Sequence, residues 1–192
     1  MTPSHNSARH DRDSVAQAAL ELLDEVGLAD LSMRRIASRL DVQPSALYWH
    51  FASKQELLAE LADRITAQIP LLGVDALSTA RSIRDALFTY RDGAELVLST
   101  YALRLGSSHA QKALEHALGG TPDAESRAAA LLHFILGHAT LVQQRMHADS
   151  HGAANSAGLH DVTAGLDAVF DLGVRALSEG VSAPRAPRRD RA

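Results

Sequence analysis

The chain has 192 residues, of which 46% are apolar and 22% charged, with a formal net charge of −4 and no cysteine. That length supports one large or two smaller packed domains, and the missing thiols exclude a disulfide framework and any cysteine-ligated metal. The longest apolar run, Ala128–Val142, falls short of the ~20 residues of a membrane span and holds His133 and His138, and the polar start carries no secretory pattern, so the expected setting is the cytoplasm with no membrane partner.

Residues 1–10 are expected to be disordered. A first helix is predicted over Asp11–Val26, where Val15, Ala18, Ala19, Leu22, Leu23 and Val26 recur at the spacing of one buried face. Gly27 stands where a left-handed cap is expected. Ser32 is an N-cap for a second helix ending near Leu40, with Ile36, Ala37 and Leu40 inward. Asp41-Val42-Gln43 makes a tight turn, and Pro44 opens a third helix that runs to about His50. Ser53-Lys54-Gln55-Glu56 reads as a capping box for a fourth helix, which Pro70 ends. No strand pattern follows. Further helices are predicted over Ser78–Asp92, Ala94–Leu105, His109–Leu118, from Thr121-Pro122-Asp123 to about Ala148, and over Leu159–Leu177. In the last of these Val162, Leu166, Val169, Phe170, Gly173 and Leu177 line one stripe, and Gly165 and Gly173 permit close approach of another helix. Residues 180–192 are expected to form a disordered tail. The fold class is therefore all-α: an N-terminal three-helix helix-turn-helix domain over 11–70, then a second helical domain over 71–179.

The segment Leu31–Lys54 carries the function. Two short helices joined by a tight turn place the second in a DNA major groove, with its N-terminal residues nearest the bases. Those residues are Gln43, Pro44, Ser45 and Ala46, small or hydrogen-bonding, so base edges can approach. The polar tips of Tyr48, Trp49 and His50 suit phosphate contacts, as does Lys54 at the start of the fourth helix. The competing reading makes these aromatics the core of a plain bundle, but only Leu47 and Phe51 share an inward face. The acidic total opposes nucleic acid. Locally, however, Arg34, Arg35, Arg39 and Lys54 outnumber Asp41, a positive excess that suits a duplex.

Ser32-Met33-Arg34-Arg35-Ile36-Ala37, Leu40, Val42, Ala46-Leu47-Tyr48-Trp49-His50-Phe51 and Lys54 together resemble the helix-turn-helix of the tetracycline-repressor (TetR) family. The Leu-Tyr-Trp-His form is most similar to the tetracycline-repressor branch. Phe88-Thr89-Tyr90-Arg91-Asp92-Gly93-Ala94, Leu98, Thr100 and Gly137-His138-Ala139-Thr140-Leu141 extend the resemblance over most of residues 11–178. It implies an all-helical homodimeric repressor on a palindromic double-stranded DNA operator, released by a small-molecule inducer. Met33 and Arg34 join the DNA-facing set on the strength of the resemblance. It also implies that the Pro122–Ala148 and Leu159–Leu177 helices of two subunits form a four-helix bundle. The chain departs from that branch where a drug–magnesium chelate is held. Val97 replaces a metal-ligating His, Tyr101 and Ala102 an Arg-Pro pair, Pro70 a ligand-contacting His, and Met146 an acid, while His138 and Thr100 persist. Magnesium needs hard ligands that Val97 and Met146 do not supply, so the expected inducer is not tetracycline–magnesium, and no metal or cofactor is expected.

Helical phase places Leu61, Ile65, Phe88, Val97, Tyr101 and Leu105, with Phe134, His138 and Met146, around an apolar cavity, to which the resemblance adds Thr100. The expected inducer is a largely apolar small molecule with one or two polar groups. The alternative for each residue is ordinary core packing. An enzyme or metal protein is the reading from another class, prompted by ten histidines. No HExxH, paired-carboxylate or Ser-His-Asp grouping supports it, so no catalytic residue is expected. A ligand-blind architectural DNA binder is the third reading, and it predicts no cavity.

Overall fold

The computed structural model describes residues 10–72, 74–120, 122–150 and 165–179. The expected tail 180–192, Val162 and Thr121 lie outside them, as do nine of the ten residues expected to be disordered at the start. The tenth, His10, donates from its ring to the Leu40 carbonyl at 3.1 Å. All regular structure among the described residues is helical: α1 (Arg12–Val26), α2 (Met33–Arg39), α3 (Pro44–Leu47), α4 (Lys54–Thr66), α5 (Ala76–Leu87), α6 (Gly93–Ala102), α7 (His109–Ala117), α8 (Ala124–Ser150) and α9 (Leu166–Glu179).

The helix starts follow capping chemistry. Asp11 accepts from the Ser14 amide while Ser14 answers the Asp11 amide, a reciprocal box that sequence reading did not anticipate. Ser32 and Ser53 cap α2 and α4 through the amides of Arg35 and Glu56. The box expected at Ser53 closes one residue early, because Glu56 reaches the Ala52 amide at 2.7 Å rather than that of Ser53. Asp75 caps α5 through the amides of Leu77 and Ser78. The helix therefore begins two residues before the predicted Ser78. It also stops at Leu87, short of the predicted Asp92, and five residues of turn lead into α6.

That turn is the joint of the molecule. Asp92 has left-handed backbone (φ 56), and its carboxylate accepts the Leu28 amide at 2.8 Å. Buried Gln143 of α8 accepts the Ala94 amide at 3.0 Å and donates to the carbonyls of Leu87 and Tyr90. Three backbone groups from the end of α5 to the start of α6 thus find one fixed partner. Gly27 faces the same joint. Its φ of 80° fits the expected positive region, but its ψ of 171° does not make the left-handed cap. A Cβ there would lie 2.6 Å from the Asp92 carboxylate, so contact with the α5–α6 turn as well as conformation requires glycine.

One core runs through the molecule. Leu23, Ile36, Leu47 and Phe51 seal α1–α3, Leu57 and Leu61 carry it along α4, and Ile83, Leu96, Leu114, Ile135 and Phe170 continue it. α4 packs on α1 and also on α5, α6 and α7, which joins the two parts of the core. α8 lies against α5, α6, α7 and α9. It is not covered on every side: Ala130, Gly137 and Leu141 are exposed, and nothing lies within 4 Å of a Cβ built at Gly137. The stripe read along α9 divides into two faces. Phe170 and Val174 are buried, and Gly173 meets the Phe134 ring as a close approach. Val169, expected inward, is 54% exposed and points away with Leu172. Gly165 has no neighbour at its Cβ position. No helix of the described residues is long and apolar enough to cross a membrane.

Candidate nucleic-acid interface and inner cavity

α2 and α3 are held at a fixed angle by the turn between them. Asp41 takes left-handed backbone (φ 52), and the Val42 amide returns to the Ala37 carbonyl at 3.0 Å. α3 is shorter than expected: it ends at Leu47, and Tyr48–His50 form a turn. Leu47 and Phe51 are fully buried, as their spacing predicted. Between them Tyr48 is 51% and Trp49 89% exposed, so the bundle-core reading of these aromatics does not hold. Gln43 and Ser45 are exposed, Pro44, Ala46 and His50 half-buried. Gln43 makes no capping bond with its side chain, which leaves both amide groups available.

The charge of this face is smaller than the sequence window suggests. Arg39 is bound by Glu25 at 2.6 and 2.7 Å, with Glu21 at 3.7 Å, and Arg35 pairs with Asp30 at 3.3 Å. The hydrogen bond from Arg39 holds the Glu25 carboxyl below its usual range. Among the described residues Arg34, exposed, and Lys54, half-buried on the first turn of α4, form no ion pair. Met33 is 7% exposed and belongs to the core cluster, so its side chain offers little to a duplex.

The predicted ligand-binding residues part into two groups. Val97, Thr100, Tyr101 and Leu105 line a cavity of about 30 Å³ with Thr66 of α4 and Leu132 of α8, room for about one water. The Tyr101 hydroxyl donates to Gln111 at 3.1 Å, and the Thr100 hydroxyl returns to its own helix. Asp63 at the rim accepts the Ser107 amide at 2.6 Å and fixes the turn between α6 and α7. Leu61, Ile65, Phe88, Phe134 and His138 do not line this cavity, and Leu61 and Ile65 are buried in the continuous core. Met146 is half exposed and away from it.

His138 sits in an aromatic cluster, 5.9 Å from the Phe134 ring and 5.1 Å from that of Phe170. Burial pushes its pKa below the ordinary 6.5, and nearby Arg84 adds to the effect. The folded state then binds fewer protons than the unfolded one, so stability falls as pH drops below about 6.5. Urea unfolding between pH 7.5 and 5.5 is expected to show this loss in the wild type and a shallower one in His138→Gln. Parallel slopes would remove His138 as the cause.

An exposed, hydrogen-bonding helix set by a buried two-helix platform defines a helix-turn-helix DNA-binding protein of the all-helical class. Residues 16–61 match the family described as bacterial regulatory proteins, tetR family. The tetracycline repressor protein class G of Vibrio anguillarum is 35% identical over 92% of this chain and 95% of its own. Among solved structures, Mycobacterium smegmatis BioQ superposes with a TM-score of 0.73 at 34% identity, covering 88% of this chain and 98% of its own. BioQ bound to its double-stranded DNA operator gives 0.72 at 31%, covering 89% and 99%. The chain belongs to the TetR family. It is a DNA-binding transcriptional regulator, not an enzyme.

Proposed function

We propose that the protein is a homodimeric repressor that binds a palindromic operator and leaves it when a small molecule enters the 71–179 domain. The observation that carries this is the outer face of α3 and its following turn. Gln43, Ser45, Tyr48 and Trp49 look outward from a platform whose inner pegs, Leu47 and Phe51, are fully buried. Two copies joined through α8 and α9 would set two such faces one helical turn of DNA apart. In this reading the 11–70 domain reads DNA: Arg34 and Lys54 hold phosphates, and Gln43, Pro44, Ser45 and Ala46 meet bases. Met33 acts through packing. The cytoplasm is the compartment that fits.

The inducer we propose is neutral and largely apolar, with one or two hydrogen-bonding groups. Apart from Asp63, whose carboxylate already accepts the Ser107 amide, the cavity is lined by uncharged side chains, Val97, Leu132, Thr66, Thr100 and Tyr101 among them, so an anionic group would be desolvated there without a counter-charge. Val97 is buried and offers no metal ligand. The small cavity must widen on binding, which α4, α6 and α8 would share.

Selection of binding sites from random duplex DNA tests the reading. The wild type is expected to enrich a palindrome, and Tyr48→Ala and Lys54→Ala to lose most of that enrichment, each at a cost of about 1–2 kcal/mol in a phosphate contact. No enrichment by the wild type at low salt would sink the proposal.

A further inference from the structure

α3 has only four residues, too few to fix its own direction, and two buried pegs alone leave its far end free to tilt. The structure shows what holds that end. Arg12, the first residue of α1, donates from Nη1 to the His50 carbonyl at 2.6 Å, closing the turn that follows Tyr48 and Trp49. The same guanidinium donates to Glu56 at 2.9 Å and to Glu60 at 3.2 and 3.3 Å, both on α4. Its carbon stands 4.1 Å from the centroid of the Phe51 ring, the inner peg. Glu56 is itself fixed by the Ala52 amide, and Glu60 by Arg64, which reaches back to Asp13 of α1. One planar cation thus joins the start of α1, the end of the recognition turn and the first two turns of α4. A lysine could not make this set of bonds, since its ammonium lacks the fork geometry.

We propose that Arg12 is a positioning residue for operator recognition: it clamps the His50 end of the recognition turn to α1 and α4, and so sets the angle at which Gln43, Ser45, Tyr48 and Trp49 meet the duplex. The proposal rests on the operator reading above. It separates two roles that a basic residue near DNA can play. A phosphate ligand contributes to the salt dependence of binding, about one counterion per contact. A clamp whose charge is already met by Glu56 and Glu60 contributes to affinity without that signature.

The test is titration of the selected operator across salt concentrations with wild type, Arg12→Ala and Arg12→Lys, each with its thermal midpoint, below which all titrations are run. Arg12→Ala is expected to bind about tenfold more weakly, the effect of one charge-assisted hydrogen bond, with an unchanged slope of log K against log salt. Arg12→Lys keeps the charge and the aliphatic stem over Phe51. It is expected to fold as the wild type does and to recover less than half of the lost binding free energy, which also decides the matter if Arg12→Ala does not fold. Wild-type affinity in Arg12→Lys, or a slope reduced by about one in either variant, would overturn the clamp. The wild-type titration in the same series reports on the operator reading separately.

Discussion

Leu172→Glu is expected to turn a dimer into monomers at micromolar concentration and to weaken operator binding at least about 100-fold. In the protomer Leu172 is 70% exposed and Val169 54%, on the face of α9 opposite Phe170. Ala168 and Ala176 share that exposure, as do Ala130, Gly137 and Leu141 on α8. Isolated exposed leucines are ordinary, but two adjoining helices that both turn apolar residues outward need a cover. α8, 27 residues and about 40 Å long, is long enough to cross a second copy of itself, and the open space at Gly137 lets a second backbone come close. A two-fold interface repeats every substitution, so each dimer would bury two carboxylates without partners. Loss of the dimer uncouples the half-sites. Each head then binds alone, without the effective concentration that linkage supplies, commonly 10²–10⁴-fold. Because Leu172 is exposed in the protomer, helicity should be unchanged, and Leu172→Ala should weaken association less. Sedimentation at several concentrations gives the answer. A Leu172→Glu protein that remains dimeric and binds as the wild type does would place the interface elsewhere.

The elements were legible where local chemistry decides them. Ser32 and Ser53 mark helix starts through bonds that span three residues, Pro44 through the fixed backbone angle of its ring, and these stand where the sequence put them. The inward spacing of Leu47 and Phe51 was equally local. What the sequence hid depends on partners far along the chain. The positive window around Arg34–Lys54 counted Arg35 and Arg39 as available, whereas Asp30, Glu21 and Glu25 from α1 and its loop occupy them. Gln143, near the end of one helix, and Arg12, near the start of another, carry no local signal of a role. Their roles exist only because α8 meets the α5–α6 joint and α1 meets α4. The cavity was half legible. Helical phase found Val97, Tyr101 and Leu105, but it could not tell residues that line a space from those that fill it, as Leu61 and Ile65 do. On α9 a single apolar periodicity concealed two faces, one seated on its own subunit and one open.

The seated face carries the largest stability effect. Phe170 is fully buried between α5 and α8, stacked 5.9 Å from Phe134, with the Arg84 guanidinium 4.8 Å above its ring. Phe170→Ala removes a ring from this close-packed site and leaves a hole that the neighbouring rings fill only in part. The expected cost is about 3–5 kcal/mol, a fall of roughly 10 °C in thermal midpoint at fixed protein concentration. Two ion pairs also tie α9 to α5: Arg84 with Asp167 at 2.8 Å, and Arg81 with Asp171. Asp167 is almost fully exposed and Arg81 half exposed, so water competes for both pairs, and Arg81→Ala should cost less than about 1 kcal/mol. The comparison decides what seats α9. If Arg81→Ala cost as much as Phe170→Ala, charge rather than ring burial would hold the helix. If the ring dominates, Phe170→Ala should also weaken the dimer, though it lies on the hidden face, because Val169 and Leu172 are held in place only by the seat beneath them.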